Sequence, residues 1–124
     1  MYHSMWSIPD SQNVIGPVQI MREQGEALLS LTSGKLQGSI QATGHGDEII
    51  RNFNIVVPSL GYYAYTLCAY AQSPLAIYPG RFFSSFSSTW YGIADEEEFV
   101  RLFGEFLGSS STNELIGSLL SQAS

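Results

Sequence analysis

Two stretches of this 124-residue chain concentrate side chains that could do chemistry. In "TGHGDE", residues 43–48, a histidine meets carboxylates, so His45 could take a proton while Asp47 or Glu48 orients its ring. The same residues also read as a hairpin tip, because Gly44 and Gly46 tolerate positive φ and Asp47 suits a tight turn. In "DEEE", residues 95–98, four carboxylates have the density of a cation site. Consecutive carboxylates on a helix, however, diverge around its axis. Asp95 reads more simply as an N-cap with Glu98 as its capping-box partner, while Glu96 and Glu97 suit the positive end of the helix dipole. Ser111 and Glu114 repeat that spacing ahead of a further helix.

Other routes to catalysis have thinner support. Cys68 is the sole cysteine, so no intrachain disulfide can form. It sits in an apolar strand with nothing nearby to lower its pKa, and it reads as a small hydrophobe rather than a nucleophile. Serines are plentiful, but there is no G-x-S-x-G elbow, no Walker-type lysine loop and no G-x-G-x-x-G turn. A two-histidine metal site would have to recruit His3 from the N-terminal arm. The expectation is therefore no cofactor, no metal and no assigned catalytic residue. It leans away from an enzyme without removing one, since triads assemble from distant positions.

Charge excludes further classes. The net charge is −6, and the five basic residues are dispersed, whereas a phosphate-tracking surface needs them clustered. The same sparsity argues against an anionic membrane. No run of about 18 apolar residues occurs, and "MYHSMWSIPDSQN" lacks a basic leader and an apolar core, so a cytoplasmic location is expected.

The elements that must position these residues follow from periodicity. Residues 1–12 show none and read as a mobile arm, leaving residues 13–124 as one domain. A helix over 18–32 begins after Pro17 and stops at Gly34, with Gly25 weakening its middle. "KLQGSIQATG" and "DEIIRNFNIVVP" alternate as two strands of a hairpin around "GHGDE". "GYYAYTLCAYAQ" is a third strand, with Tyr63, Tyr65, Leu67 and Ala69 on one face and Tyr62, Ala64, Thr66, Cys68 and Tyr70 on the other. "PLAIYPG" reads as a short fourth strand placed by its prolines at an edge or corner, and "RFFSSFSSTWYGI" as a fifth. Phe99, Leu102, Phe103, Phe106 and Leu107 form the stripe of a core-facing helix, and Leu115, Ile116, Leu119 and Leu120 that of another. The predicted fold is α+β: an N-terminal helix, an antiparallel meander of four to five strands, and two C-terminal helices on one face of the sheet.

Residues 52–94 carry a single formal charge, Arg81. A solvated antiparallel sheet should show lysine or glutamate on its outer face. Tyrosine there would bury a ring while leaving a hydroxyl free, the behaviour of interface residues. These features predict a small acidic interaction module, analogous in size and charge to accessory, immunity or inhibitor-type proteins. Its partner would be another protein or a second copy forming a homodimer, contacted through Tyr62, Thr66 and Tyr70, with Glu96 and Glu97 steering a basic surface. The alternative is a small-molecule binder or small enzyme whose Tyr63- or Tyr65-lined pocket has His45, Asp47 and Arg51 at its rim.

Overall fold

Pro17 opens α1 (Pro17–Leu31), where its fixed φ suits the first turn and its missing donor would have no partner. The helix ends at Thr32, whose hydroxyl donates to Leu28 O at 2.8 Å and accepts from Leu36 N at 3.1 Å. Gly34, at φ +83°, donates its N–H to Leu29 O at 2.9 Å and turns the chain back. The computed structural model describes residues 4–6 and 16–123. After α1 come β1 (Gln37–His45), β2 (Glu48–Val57), a 3-10 turn (Pro58–Leu60), β3 (Tyr63–Ser73), β4 (Ala76–Ser84) and β5 (Thr89–Ile93). Helices α2 (Glu96–Leu107) and α3 (Ser110–Gln122) close the chain. The strands form one antiparallel sheet in the order β1-β2-β3-β4-β5, so the fold is the α+β meander expected. Of the arm expected over residues 1–12, only residues 4–6 are described, with Met5 and Trp6 exposed; the rest lies outside the described residues.

The turn at Gly46 and Asp47 is a two-residue hairpin with His45 opposite Glu48. Gly46 takes φ +61° at the first turn position, which the type II′ geometry demands. Two expectations about the later strands are corrected. β4 is an inner strand of nine residues, and "RFFSSFSSTWYGI" is divided between β4, a turn and β5. Pro79 is tolerated inside the sheet because the β3–β4 ladder skips from Ser73↔Ala76 to Gln72↔Gly80, and the β4–β5 ladder ends at Gly80↔Ile93. Phe86 lies in the turn between β4 and β5, and Trp90 points away from the side that Phe82 faces.

The third strand holds the larger correction. Its pairing with β2 shifts between Phe53 and Asn54: Phe53 faces Cys68 while Asn54 faces Thr66, leaving Leu67 as the extra residue of a bulge. One inserted residue reverses the parity of everything after it. Tyr63, Tyr65 and Leu67 thus share a side with Cys68 and Tyr70, and Ala64 and Thr66 share the other with Ala69 and Ala71.

All three helices lie on the first of these sides. Gly38 of β1 abuts Gly25 of α1, an approach only a residue without Cβ permits. In the same register stand Phe53, Tyr70 and Phe82, which meet Phe99 and Phe103 of α2 edge to face, with Phe53–Phe103 centroids 5.9 Å and Tyr70–Phe99 centroids 5.4 Å apart. Met21, Ile55, Phe82, Phe99, Phe103 and Leu119 join one continuous core. Each such side chain contributes about 1.5–3 kcal/mol by leaving water.

Candidate functional site

The opposite side of the sheet faces away from the three helices of the described residues. Its residues follow from the register: Gln37, Ser39, Gln41, Thr43 and, at the hairpin tip, His45 on β1, then Glu48, Ile50, Asn52, Asn54 and Val56 on β2. β3 adds Ala64, Thr66, Ala69 and Ala71, β4 adds Arg81 and Phe83, and β5 adds Trp90 and Gly92. The alternation of amide and hydroxyl side chains with apolar ones marked the wet faces of β1 and β2 in the sequence. The bulge hid the continuation of that face onto β3.

Two side-chain networks hold this surface. Across three strands, Thr66 Oγ1 donates to Asn54 Oδ1 at 2.7 Å, and Asn54 Nδ2 donates to Gln41 Oε1 at 3.5 Å. These bonds satisfy Asn54, which is buried. At the β4–β5 end, Arg81 Nη2 meets both Glu48 oxygens at 2.6 and 2.8 Å, and its guanidinium lies 4.5 Å from the centroid of Trp90, which packs on Phe83 at 5.0 Å. The exposed pair contributes no more than about 1 kcal/mol. Its larger effect is that the two ionised groups on this side neutralise each other.

Charge is divided between the layers. Among the described residues, α1 carries Arg22 against Glu23 and Glu26; Asp95 and α2 carry five carboxylates against Arg101; and α3 carries Glu114. The helical layer is therefore net −6, while Asp47 and Glu48 balance Arg51 and Arg81 in the sheet. The acidic run is a cap: Asp95 Oδ1 accepts from Glu98 N at 2.9 Å, and Glu98 Oε1 accepts from Ala94 N at 3.2 Å. The second capping expectation is corrected, since α3 starts at Ser110 and its cap is Ser109, two residues before Ser111, accepting from Thr112 N at 3.3 Å.

The residues expected to bind a partner do not form one surface. Thr66 is exposed on the open side of the sheet, whereas Glu96 and Glu97 belong to the helical layer. Tyr62 is 69% exposed but precedes β3, at φ +61° after the 3-10 turn. Tyr70 is corrected from interface to core: it is fully buried, donates to Ile77 O at 2.7 Å, and closes over Gly80 so tightly that a Cβ there would overlap its hydroxyl. Exposed aromatics remain plentiful around the sheet, with Tyr63 and Tyr91 on the helical side and Trp90 on the open side.

The alternative pocket is not assembled. His45 pairs with Glu48 at one end of β2 and Tyr63 with Val57 at the other, about 30 Å away at ~3.3 Å per residue. Arg51 and Tyr65 point to the helical side midway along the strands, and Tyr65 Oη lies 3.4 Å from Ser85 Oγ. His45 and Asp47 are exposed at the hairpin tip. Burial pushes the Cys68 thiol well above its usual range, holding it neutral as a core group. Burial and then Tyr78 push Tyr70 up likewise, while Tyr78 is pushed up to about 12 by burial, then by Glu96 and Asp95. Among the described residues no cluster of three His, Cys, Asp or Glu side chains could hold a metal ion. No helix among them is long and apolar enough to cross a membrane. No protein-family model, curated protein or solved structure matches the chain.

Proposed function

We propose that the chain is a protein-interaction module that docks through the open side of its sheet, and that the occupant is a second copy of itself. The observation that carries this reading is the division of charge: a helical layer of net −6 backs a face whose two ionised groups cancel. Two copies meeting face to face would place both acidic layers outside. Stacked sheets stand about 10 Å apart, already beyond the Debye length of about 8 Å at physiological ionic strength, so the helices would repel only weakly. Isologous contact also suits a neutral surface, because the same patch meets itself across the two-fold axis and any net charge on it would be opposed by its own sign.

The size of the face bounds the affinity. Five strands at ~4.8 Å, each contributing about seven residues at ~3.3 Å, present about 550 Å² per partner. Summed over both partners, that area lies at the low end of specific interfaces, the class of weak and transient encounters, and micromolar association is expected. A cytoplasmic accessory or inhibitor-type role remains part of the proposal, supported only by size and charge.

The test is a charge placed mid-face. Asn52→Lys should abolish concentration-dependent association in sedimentation velocity between about 1 and about 500 µM, weakening it at least ~100-fold because each half would bury an unpaired charge. Val100→Lys, on the exposed side of α2, should leave association unchanged. Equal loss in both variants, or in neither, would overturn the proposal. A native chain that stays monomeric but captures a different protein, with Asn52→Lys blocking capture, would keep the face and replace the occupant.

A further inference from the structure

A second feature of the fold lies on the other side of the sheet. α1 is seated on β1 and α2 on β4 and β5, while α1 and α3 make little direct contact. Between them is a cavity of about 390 Å³. Its floor is Phe53, Ile55 and Leu67 of the sheet, and its walls are Leu28 and Leu31 on one side and Ile116 and Leu120 on the other. Leu31 stands at the mouth, 84% exposed, an arrangement that leaves apolar surface for something else to cover.

The lining says what that something is. Among the described residues no ionisable side chain borders this cavity, although the layer containing it is strongly acidic. A carboxylate or phosphate head would find no cation and would meet a repelling field. Two of the four polar lining residues are already engaged: Thr112 Oγ1 donates to Phe106 O at 2.7 Å, and Thr32 bridges Leu28 and Leu36. Gln24 and Asn113 offer neutral donors and acceptors. The volume is within the range of small-molecule pockets, about 300–1,000 Å³.

We infer that the cleft between α1 and α3 binds a neutral, largely apolar small molecule with an uncharged hydroxyl or amide head, such as a medium-chain alcohol or a fused-ring aromatic. This site shares no residue with the open sheet face, so either reading can fail alone.

The test uses N-phenyl-1-naphthylamine, a neutral fluorophore, titrated onto the full chain. Saturable enhancement with one site per chain is expected, with displacement by 1-dodecanol and at least about tenfold poorer displacement by dodecanoate at pH 8. Ile116→Trp, which fills the cavity, should weaken probe binding at least about tenfold, and Ala27→Phe does the same from the α1 wall if the first variant fails to fold. Asn52→Lys and Val100→Trp should leave the titration unchanged. Absence of saturable binding, dodecanoate competing as well as dodecanol, or indifference to a folded cavity-filling variant would each overturn the inference.

Discussion

Gly38→Ala is expected to destabilise the protein although it replaces a strand glycine. On intrinsic grounds the change should help, since glycine in an element interior costs roughly 0.5–1 kcal/mol relative to alanine. The structure opposes that gain. A Cβ on Gly38 would overlap Gly25 Cα and stand 3.1 Å from Phe53 Cε1. Backbone on one side and a core ring on the other cannot swing aside, so α1 must lift and loosen Met21 and Leu28 from the core. Overpacking of this kind costs about 1–3 kcal/mol, leaving a net loss of roughly 1–2 kcal/mol after the backbone gain. With an unfolding entropy of ~2.1 cal/mol/K per residue, a chain of this length should lose about 4–8 °C in Tm. Gly25→Ala is the internal control: its Cβ would meet Gly38 Cα at 3.0 Å, a smaller conflict, and helix propensity returns about 1 kcal/mol. Its Tm should therefore change little. Urea melts of both variants with unchanged m values would check that the denatured state is unaltered. A Gly38→Ala protein as stable as the parent, or more so, would refute the close seating of α1 on β1.

The bulge in β3 predicts opposite outcomes for two tyrosines near its ends. Tyr70→Phe should cost about 1–3 kcal/mol in chemical denaturation because Ile77 O loses its buried donor, whereas Tyr62→Ala should change stability by less than about 0.5 kcal/mol. Similar effects at both positions would contradict the parity reversal. Alkaline pH offers an independent check. Cys68, Tyr70 and Tyr78 all have folded-state pKa values raised above their unfolded ones, so their stabilisation is complete below the unfolded pKa and is lost as pH rises. Unfolding free energy should decline from about pH 9, where the exposed thiol starts to ionise, and more steeply beyond pH 10 with the phenols. A double Tyr70→Phe, Tyr78→Phe variant should show a shallower decline beyond pH 10, and an unchanged slope would contradict the burial of these phenols.

Why the fold was legible and the surface was not comes down to how locally each signal is written. The helices announced themselves through the Phe99–Phe103–Phe106 spacing, the Asp95–Glu98 cap and the Pro17 and Gly34 boundaries, all set by contacts within a few residues. The β1–β2 hairpin was equally local, fixed by Gly46 and the alternation on either side of it. Tyr70 could not be placed this way. Its side is decided by an extra residue at Leu67, which no composition cue marks, because Leu67 and Cys68 both suit a core and parity alone cannot show which one is inserted. The stretch "RFFSSFSSTWYGI" read as one strand for a similar reason, because serines on both sides of Phe86 disguised a turn as a strand. The cleft between α1 and α3 is a packing mismatch between helices distant in sequence, and such a space has no local signature. The charge-poor middle of the chain did point to an open sheet face, but the residues on it are chiefly amides, alanines, Ile50, Val56, Phe83 and Trp90.

The claim that this face receives a second copy is tested most directly by a dilution series of amide chemical shifts on the native chain. The account predicts concentration-dependent shifts at Asn52, Thr66, Ala69 and Phe83, saturating in the micromolar range, with Glu97, Val100 and Glu114 unmoved. Shifts confined to the helical layer, or none anywhere as the concentration rises into the millimolar range, would contradict it.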